Sequence, residues 1–450
     1  MRGGSAIRVI SDESRASARP LTLPSPREGR GEGSTLSDLN ADAFNRRLDP
    51  ILRTPIAVAF SGGGDSLAAL LMTKAWADRC GRPVLVLTVD HRLQADSAAW
   101  TRQAAEIAAR LGAGFQALAW EGPKPLLGRA AAARAARHSL VAQAARTAGA
   151  RVVVFGHTAD DILEAELMRA EGSRLGALRE WSPSPVWPRG RGVFLLRPLL
   201  GVRRAAIRAA LREAGETWID DPANADPGSP RARARMRLEG APDLDLPAHD
   251  DPALAALSRS VAIAPEGFLR LDRDALRRAP GSASRRLLAA GVLCAGGGER
   301  PPRGERLERL LGQALGPAPF VATLAGCRIV GDADLLLTRD AGEIRRGGLA
   351  TIAAPTGVPI VWDGRFEVTA RRDGLFIRAL AGAIASLDKA QRRTVQALPA
   401  PVRPSLPAVT DSAGAPVSLI LAGETSVEVR SLIAARFLAA CGAISKEPAT

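Results

Sequence analysis

The sequence predicts an α/β protein built on a doubly wound parallel sheet, with smaller helical and α+β domains downstream. Between residues 56 and about 170, short apolar runs alternate with amphipathic stretches. Strands that alternate with helices in this way form a parallel sheet covered on both faces. Two of the apolar runs are followed directly by glycine-rich or acidic turns. Ligands of such sheets bind beyond the carboxyl ends of the strands, so we expect the functional residues in those turns.

The individual elements follow from the same pattern. Short apolar runs predict buried strands over residues 56–60, 84–89, 115–120 and 152–155. Longer stretches predict helices over residues 67–77, 97–111 and 130–147, and from about residue 160 onward. Gly112 and Gly149 follow two of these stretches and are typical helix ends.

Composition and charge limit the functional classes. The chain has 450 residues, a net charge of +14 and only four cysteines, none in a C-x-x-C pair. This excludes a zinc ribbon or a thioredoxin-type motif and is typical of a cytoplasmic protein with reduced thiols. No run of 18 apolar residues is present, so no membrane association is expected. The surplus of positive charge favours a nucleic acid partner.

The sharpest motif is a glycine-rich hexapeptide placed between a predicted strand and a predicted helix: Ser61, Gly62, Gly63, Gly64, Asp65 and Ser66. Glycines bring backbone N–H groups close to a ligand, and the following helix directs its positive end to the same point. The motif is neither a Walker A loop nor G-x-G-x-x-G. An ordinary strand-to-helix turn is the alternative, but the context favours phosphate binding.

A second polar turn follows the predicted strand at residues 152–155. Asp160 and Glu164 are four residues apart and share one helix face. Two carboxylates beside a triphosphate suit Mg²⁺, which prefers oxygen ligands. The alternative is a helix-capping aspartate and a solvated glutamate. His157 either contacts the ligand or is an ordinary turn histidine.

These motifs resemble those of known enzymes. The hexapeptide resembles the pyrophosphate loop of the N-type ATP pyrophosphatases, which have an adenine nucleotide alpha hydrolase-like fold. The set as a whole resembles the tRNA(Ile)-lysidine synthetase family over about residues 50–240. Its other motifs here are T-V-D-H at 88–91, A-R-x-x-R at 133–137, H-x-x-D-D-x-x-E at 157–164, R-P-L-L at 197–200 and W-I-D-D-P-A-N at 218–224.

The resemblance implies a ligase that adenylates the wobble cytidine of an isoleucine tRNA with a CAU anticodon. Free L-lysine then displaces AMP and gives lysidine. The implied co-substrate is ATP, gripped by the hexapeptide together with Asp90 and His157, and the implied metal is Mg²⁺ near Asp65 and Asp160. The implied catalytic residues are Asp65, Arg134, Asp160 and Glu164. Expected RNA contacts are Arg204, Arg233, Arg235 and Arg237, although a flexible basic linker is the alternative for the last three.

The resemblance also implies a domain organisation. We expect a disordered extension at 1–36, the N-type ATP pyrophosphatase catalytic domain at 37–240, a mainly helical recognition domain at 250–345 and an α+β domain at 346–450. Three positions depart from the family pattern: His138, Ala165 and Ala223. Asp90 and Glu164 are candidates for binding the amines of lysine. A related tRNA thiolation enzyme and a tRNA-binding protein without turnover remain alternatives, and a homodimer is a further prediction.

Overall fold

The computed structural model describes residues 36, 39–40, 42–93, 97–173, 176–219, 230–238, 251–411, 418–420 and 425–449. The chain divides into residues 1–34 and 35–450, and every described residue lies in the second part. The extension predicted at 1–36 lies outside the described residues except for residue 36. Residues 241–249, between the predicted catalytic and recognition domains, also lie outside them.

A six-stranded sheet forms the centre of the first half of the described chain. Its strands are β1 Ile56–Ala59, β2 Val84–Asp90, β3 Gly114–Ala119, β4 Val152–Phe155, β5 Trp181–Pro183 and β6 Phe194–Leu196. The order is β3-β2-β1-β4-β6-β5, and only β5, at the edge, is antiparallel to its neighbour. The four predicted strands are confirmed, whereas β5 and β6 were not predicted.

Helices cover both faces of this sheet: α1 Asp42–Arg47, α2 Gly64–Cys80, α3 Ser97–Arg110, α4 Arg129–Thr147, α5 Ala159–Ala170, α6 Arg204–Glu213 and α7 Pro230–Arg237. Val58 packs with Leu67 on one face, and its neighbour Ala57 packs with Val141 on the other. Because successive residues of a strand point to opposite faces, this division confirms the doubly wound prediction. None of the described helices is long and apolar enough to cross a membrane.

Residues 251–345 combine helices with a second sheet. The helices are α8 Pro252–Arg259, α9 Arg273–Arg278, α10 Gly281–Ala295 and α11 Glu305–Leu315; the strands are β7 Ala262–Ala264, β8 Phe268–Asp272, β9 Phe320–Leu324, β10 Cys327–Gly331 and β11 Asp334–Arg339. The strands form an antiparallel sheet in the order β7-β8-β11-β10-β9. The segment is predicted to be mainly helical, and its four helices hold more residues than its five strands. Alternating residues of β10 and β11 bury one face of the sheet against α10.

The rest of the chain carries two small antiparallel sheets, in the orders β12-β15-β16-β17 and β13-β14-β18. Their strands are β12 Ile352–Ala354, β13 Ile360–Trp362, β14 Phe366–Ala370, β15 Leu375–Ala379, β16 Pro407–Asp411, β17 Ser418–Leu419 and β18 Val427–Ser431, and the helices are α12 Lys389–Ala397 and α13 Ile433–Ala440, with 3-10 turns at Ala341–Arg346, Ala383–Ser386 and Arg403–Ser405. Phe437 of α13 packs in the core of the second sheet, while Ala439 packs in the core of the first. The closing helix therefore joins two cores.

The parallel strands bring five chain segments to one edge of the first sheet. Each segment follows the carboxyl end of β1, β2, β3, β4 or β6. Both sequence motifs lie in these segments, at residues 61–66 and 156–164. The fold thus places the motifs side by side, as expected from the strand pattern.

Candidate functional site: a phosphate loop facing an acidic and arginine-rich pocket

The glycine-rich loop joins β1 to α2 in a conformation that depends on glycine. Gly62 has φ +85°, and a Cβ there would lie 2.5 Å from Ile219 Cδ1. The N-cap residue Gly63 has no side chain with which to cap α2. The backbone N–H groups of the first helical turn therefore face the loop, where an anion can accept them.

Two serine hydroxyls stabilise the same loop. Ser66 Oγ donates to the Gly63 carbonyl oxygen at 2.8 Å, and Ser61 Oγ lies 3.2 Å from Ser66 Oγ. Gly156, after β4, approaches α2 so closely that a Cβ would lie 2.4 Å from the Asp65 carbonyl oxygen. Glycine at 156 is what allows the second motif to lie against the first.

The second motif begins helix α5 with a capping box. Thr158 N donates to Asp161 Oδ2 at 2.7 Å, and Thr158 Oγ1 lies 3.1 Å from the same oxygen. This fixes the start of the helix, so that Asp160 and Glu164 face the same neighbour. Asp160 Oδ2 accepts the backbone N–H of Arg204 at 2.7 Å, and Glu164 Oε1 accepts Arg204 Nη1 at 3.0 Å. The shared helix face is as predicted, and its partner in the structure is an arginine.

Glu164 is the most enclosed carboxylate of the site. Its side chain is 1% exposed and contacts three guanidinium groups. Arg231 Nε lies 2.7 Å from Oε2, and Arg235 Nε lies 3.0 Å from Oε1. Arg231 also pairs with Asp161. Such charge-assisted hydrogen bonds compensate for the burial of the carboxylate.

Arg204 links this cluster to the glycine-rich loop. Its Nε donates to Asp65 Oδ2 at 2.9 Å. Burial raises the pKa of the Asp65 carboxyl, and the positive charge of Arg204 opposes that rise. Burial tends to lower the pKa of Arg204, but the nearby carboxylates of Asp65 and Asp161 raise it above its usual value. Arg204 is therefore charged and bound to carboxylates.

Buried positive charge lies beside the acidic cluster. Burial, and then repulsion from the positive charge of Arg134, lower the pKa values of Arg137 and Arg197 to about 10 each. The buried Nε of Arg137 has no hydrogen-bond partner among the described residues. Arg134, on the same helix, is half-buried, and burial followed by repulsion from Arg231 lowers its pKa. Concentrated guanidinium groups of this kind suit a phosphate or another polyanion.

Two histidines pack among these arginines. His157 is buried and stacks on Phe155 at 5.6 Å between ring centroids, and its Nδ1 accepts Arg197 Nε at 3.2 Å. Burial and the Arg197 charge hold the pKa of His157 well below its usual value. The ring of His138 also contacts Phe155, with 5.3 Å between ring centroids, and burial lowers the pKa of His138 to about 3. Both imidazoles are therefore neutral, and His157 orients Arg197.

The remaining predicted residues lie in different surroundings. Asp90 ends β2, and its Oδ1 accepts the Arg92 backbone N–H at 2.7 Å. The arginines from 231 to 237 lie in helix α7, which packs on α5, so the alternative of a flexible linker does not describe them. Arg235 faces Glu164 and Arg237 pairs with Glu171. RNA contact by Arg204, Arg233, Arg235 and Arg237 remains a prediction.

Three residues of the pocket are not among the site residues predicted from the sequence. Asp161 and Arg197 lie within the motifs at 157–164 and 197–200, and Arg231 precedes the three predicted arginines of α7. The available signal was the four-residue spacing of Arg231 and Arg235, which puts both on one face of a helix.

The side chains of the site can be compared with the ligands that Mg²⁺ prefers. Carboxylate oxygens suit this cation, but the described residues include no group of three or more metal-binding side chains arranged to hold an ion. Asp160, Glu164 and Asp65 all bind Arg204, Asp65 through Oδ2. A carboxylate at the phosphate loop, such as Asp65, would fit Mg²⁺ only if phosphate and water oxygens supplied the other ligands.

Fold and site together define a PP-loop ATP-binding protein, and the model of the PP-loop domain matches residues 40–241. The chain is 49% identical over 414 residues to a tRNA(Ile)-lysidine synthase of Caulobacter vibrioides, covering 91% of this chain and 98% of that protein. It is 37% identical to the enzyme of the same name from Hyphomonas neptunium, over 69% of this chain and 88% of that protein. For the protein of that name from Mesorhizobium japonicum, the identity is 34%, over 78% of this chain and 80% of the relative. The chain belongs to the tRNA(Ile)-lysidine synthase family.

Proposed function

We propose that this protein joins L-lysine to the wobble cytidine of an isoleucine tRNA with a CAU anticodon. The reaction proceeds through an adenylated cytidine and yields lysidine, AMP and pyrophosphate. The observation that carries the proposal is the phosphate loop facing a pocket of buried arginines and carboxylates, in a chain 49% identical to a tRNA(Ile)-lysidine synthase.

The loop is the proposed binding site for the pyrophosphate part of ATP. Backbone N–H groups at the start of α2 and the hydroxyl groups of Ser61 and Ser66 in the same loop support this assignment, because both kinds of group can donate to phosphate oxygens. The proposed role of Arg134 and Arg137 is to neutralise the negative charge that develops as pyrophosphate leaves, and their proximity to the acidic cluster supports it. Mg²⁺ bound at the phosphates with Asp65 would supply further charge neutralisation. Asp90 and His157 are the predicted nucleotide contacts, His157 acting by orienting Arg197.

The acidic cluster is the proposed site for the cationic groups of lysine. Glu164 is a candidate because it is a buried carboxylate in a site that binds cationic groups, and lysine would have to displace one of Arg204, Arg231 and Arg235 from it. Asp90 has less support, since it accepts a backbone N–H in its own turn. The attacking amine must lose its proton, and burial favours the neutral form of an amine.

The RNA substrate fits the charge of the chain. A net charge of +14 favours phosphate backbones, which attract arginine without regard to base sequence. We propose the cytoplasm as the site of action. The homodimer remains a separate prediction, which light scattering of the purified chain can measure.

Mass spectrometry of tRNA after incubation with the protein, ATP and lysine tests the proposal. The expected product is a cytidine that has gained one lysine and lost one water, together with AMP and pyrophosphate. A methionine tRNA with the same anticodon is the matched control substrate and should remain unmodified. Exchange of oxygen for sulfur would instead identify a thiolation enzyme. Binding of tRNA without release of AMP would identify a protein without turnover.

A further inference from the structure

A surface beside the pocket remains unexplained by the chemistry above. It consists of His91 and Arg92, after β2, and Trp120, Lys124, Leu126 and Leu127, after β3. We call these six residues the rim patch. Both segments follow parallel strands, so the rim patch lies at the same edge of the sheet as the phosphate loop.

Trp120 is the centre of the rim patch. Its backbone N–H donates to the Asp90 carbonyl oxygen at 2.9 Å, which ties the end of β3 to the end of β2. His91 meets the indole edge-on, with 5.9 Å between ring centroids. Lys124 Nζ lies over the indole at 4.1 Å from its centroid. The aromatic ring is thus held in a fixed place next to a nearby cation.

The apolar part of the rim patch faces solvent. Leu126 is 87% exposed and Leu127 is 91% exposed. Neighbouring exposed leucines of this kind mark a binding surface more often than single exposed residues do. Glu121, the acidic residue in the same loop, is already paired with Arg92 at 2.8 Å. The ammonium of Lys124 donates to the Trp120 carbonyl oxygen and has no carboxylate partner among the described residues, so its positive charge can attract an anion.

His91 adds a hydrogen-bonding group. Its Nδ1 is buried and has no partner among the described residues. Burial and then the charge of Arg137 lower the pKa of His91, so the imidazole is neutral and has one donor and one acceptor nitrogen. The edge of a nucleotide base carries both a hydrogen-bond acceptor and a donor, which can pair with these two nitrogens.

We propose that the rim patch binds the unpaired nucleotides next to the modified cytidine, with Trp120 stacked on one base. This rests on the proposed function, because it assumes an RNA substrate. Aromatic side chains with a nearby cation are the usual platform for unpaired bases. A phosphate can draw Lys124 away from the indole and leave the ring face to the base. A protein partner would use the leucines but would not need the aromatic ring, the cation and the unpartnered imidazole together.

The test measures the dissociation constant of a synthetic anticodon stem-loop for the full chain and for Trp120→Ala. Removal of one stacked base typically weakens binding by about tenfold. The same pair is then compared on stem-loops that carry an abasic site on either side of the target cytidine. When the missing base is the one that stacks on Trp120, wild type and Trp120→Ala should bind the stem-loop equally, because the stacking interaction is absent in both cases.

A second variant, Leu126→Ser with Leu127→Ser, leaves the fold intact because both side chains are exposed. It should weaken stem-loop binding severalfold while ATP binding stays unchanged. Ile51→Ser is the matched control, because Ile51 is 76% exposed and precedes β1, at the opposite edge of the sheet. It should bind like wild type.

The proposal would be overturned if wild type, Trp120→Ala and the double leucine variant bound the stem-loop with equal affinity. It would also be overturned if Trp120→Ala still weakened binding to both abasic stem-loops. Aggregation relieved by the double leucine variant with unchanged RNA affinity would assign the surface to a protein partner. Failure of the proposed function is separate: wild type would then form no lysidine at all.

Discussion

The guanidinium of Arg204 donates to Asp65 at 2.9 Å and to Glu164 at 3.0 Å. One side chain thereby connects the phosphate loop with the acidic helix α5. Its side chain is 11% exposed, so Arg204 lies within the site and faces carboxylates. The position of the two motifs relative to each other depends on this arginine.

Asp65→Ala should reduce pyrophosphate release by at least about 100-fold, a typical loss when one stabilising group is removed from a charged transition state. The RNA surface is broad, so the dissociation constant for tRNA should change by less than about twofold. Release of pyrophosphate and tRNA binding are measured on the same preparation. Asp78→Ala is the control, since Asp78 lies at the other end of α2, is 59% exposed and pairs with Lys74. Full turnover by Asp65→Ala would contradict the assignment of the loop.

Glu164→Gln should lower the free energy of unfolding by about 3 kcal/mol, because loss of the buried charge leaves the guanidinium groups around it without their shared carboxylate. Denaturation in urea measures the change. Glu166→Gln is the control on the same helix: Glu166 is 44% exposed and lies 3.8 Å from Arg169. Exposed pairs contribute at most about 1 kcal/mol. Equal stability of the two variants would show that Glu164 is not essential to the cluster.

The strands and loops that position the site were predictable because their signals are local. Apolar runs marked β1, β2, β3 and β4, and the glycines after β1 marked the phosphate loop. The partner of Glu164 was not predictable in this way. Its spacing from Asp160 identified the helix face, but Arg231 lies 67 residues away along the chain. The two residues come together only because α7 packs on α5. The basic sequence of α7 is equally compatible with an exposed linker, so it does not predict this packing.

The protein should already lose stability between pH 7 and pH 5, at pH values higher than those at which ordinary carboxyl groups titrate. Burial lowers the pKa of His138 from 6.5 to about 3, so the unfolded chain takes up a proton first as the pH falls. The neutral His138 imidazole makes its full contribution to the free energy of unfolding above pH 6.5, and this contribution is lost as the pH falls towards 3. The free energy of unfolding should decrease by about 2 kcal/mol for this residue between pH 7 and pH 5.

Urea denaturation at several pH values measures this dependence. His138→Phe cannot titrate, so its stability should fall less steeply over the same range. Burial lowers the pKa of His157 in the same direction, so some dependence should remain in the variant. An identical slope for wild type and His138→Phe would show that His138 is accessible to protons in the folded protein.

The last residues of the chain stabilise the domain that carries the site. Arg82, after α2, forms two hydrogen bonds with Glu447, at 2.7 and 2.8 Å, and both side chains are 0% exposed. Trp181 Nε1 also donates to the Ile444 carbonyl oxygen at 2.8 Å. Arg82 and Glu447 are 365 residues apart in the sequence, which explains why no local pattern predicted their pairing.

Glu447→Ala should therefore lower the free energy of unfolding by about 3–5 kcal/mol, because Arg82 is left as a buried charge without a carboxylate. Arg82→Met combined with Glu447→Met should recover most of the loss, since apolar side chains of similar volume replace both charges. Lys446→Ala, at an exposed neighbouring position, is the control and should change stability by less than about 0.5 kcal/mol. A fragment that ends near residue 240 lacks Glu447 and should unfold at lower urea concentration than the full chain. Equal midpoints for the fragment and the full chain would show that the first sheet does not depend on the tail.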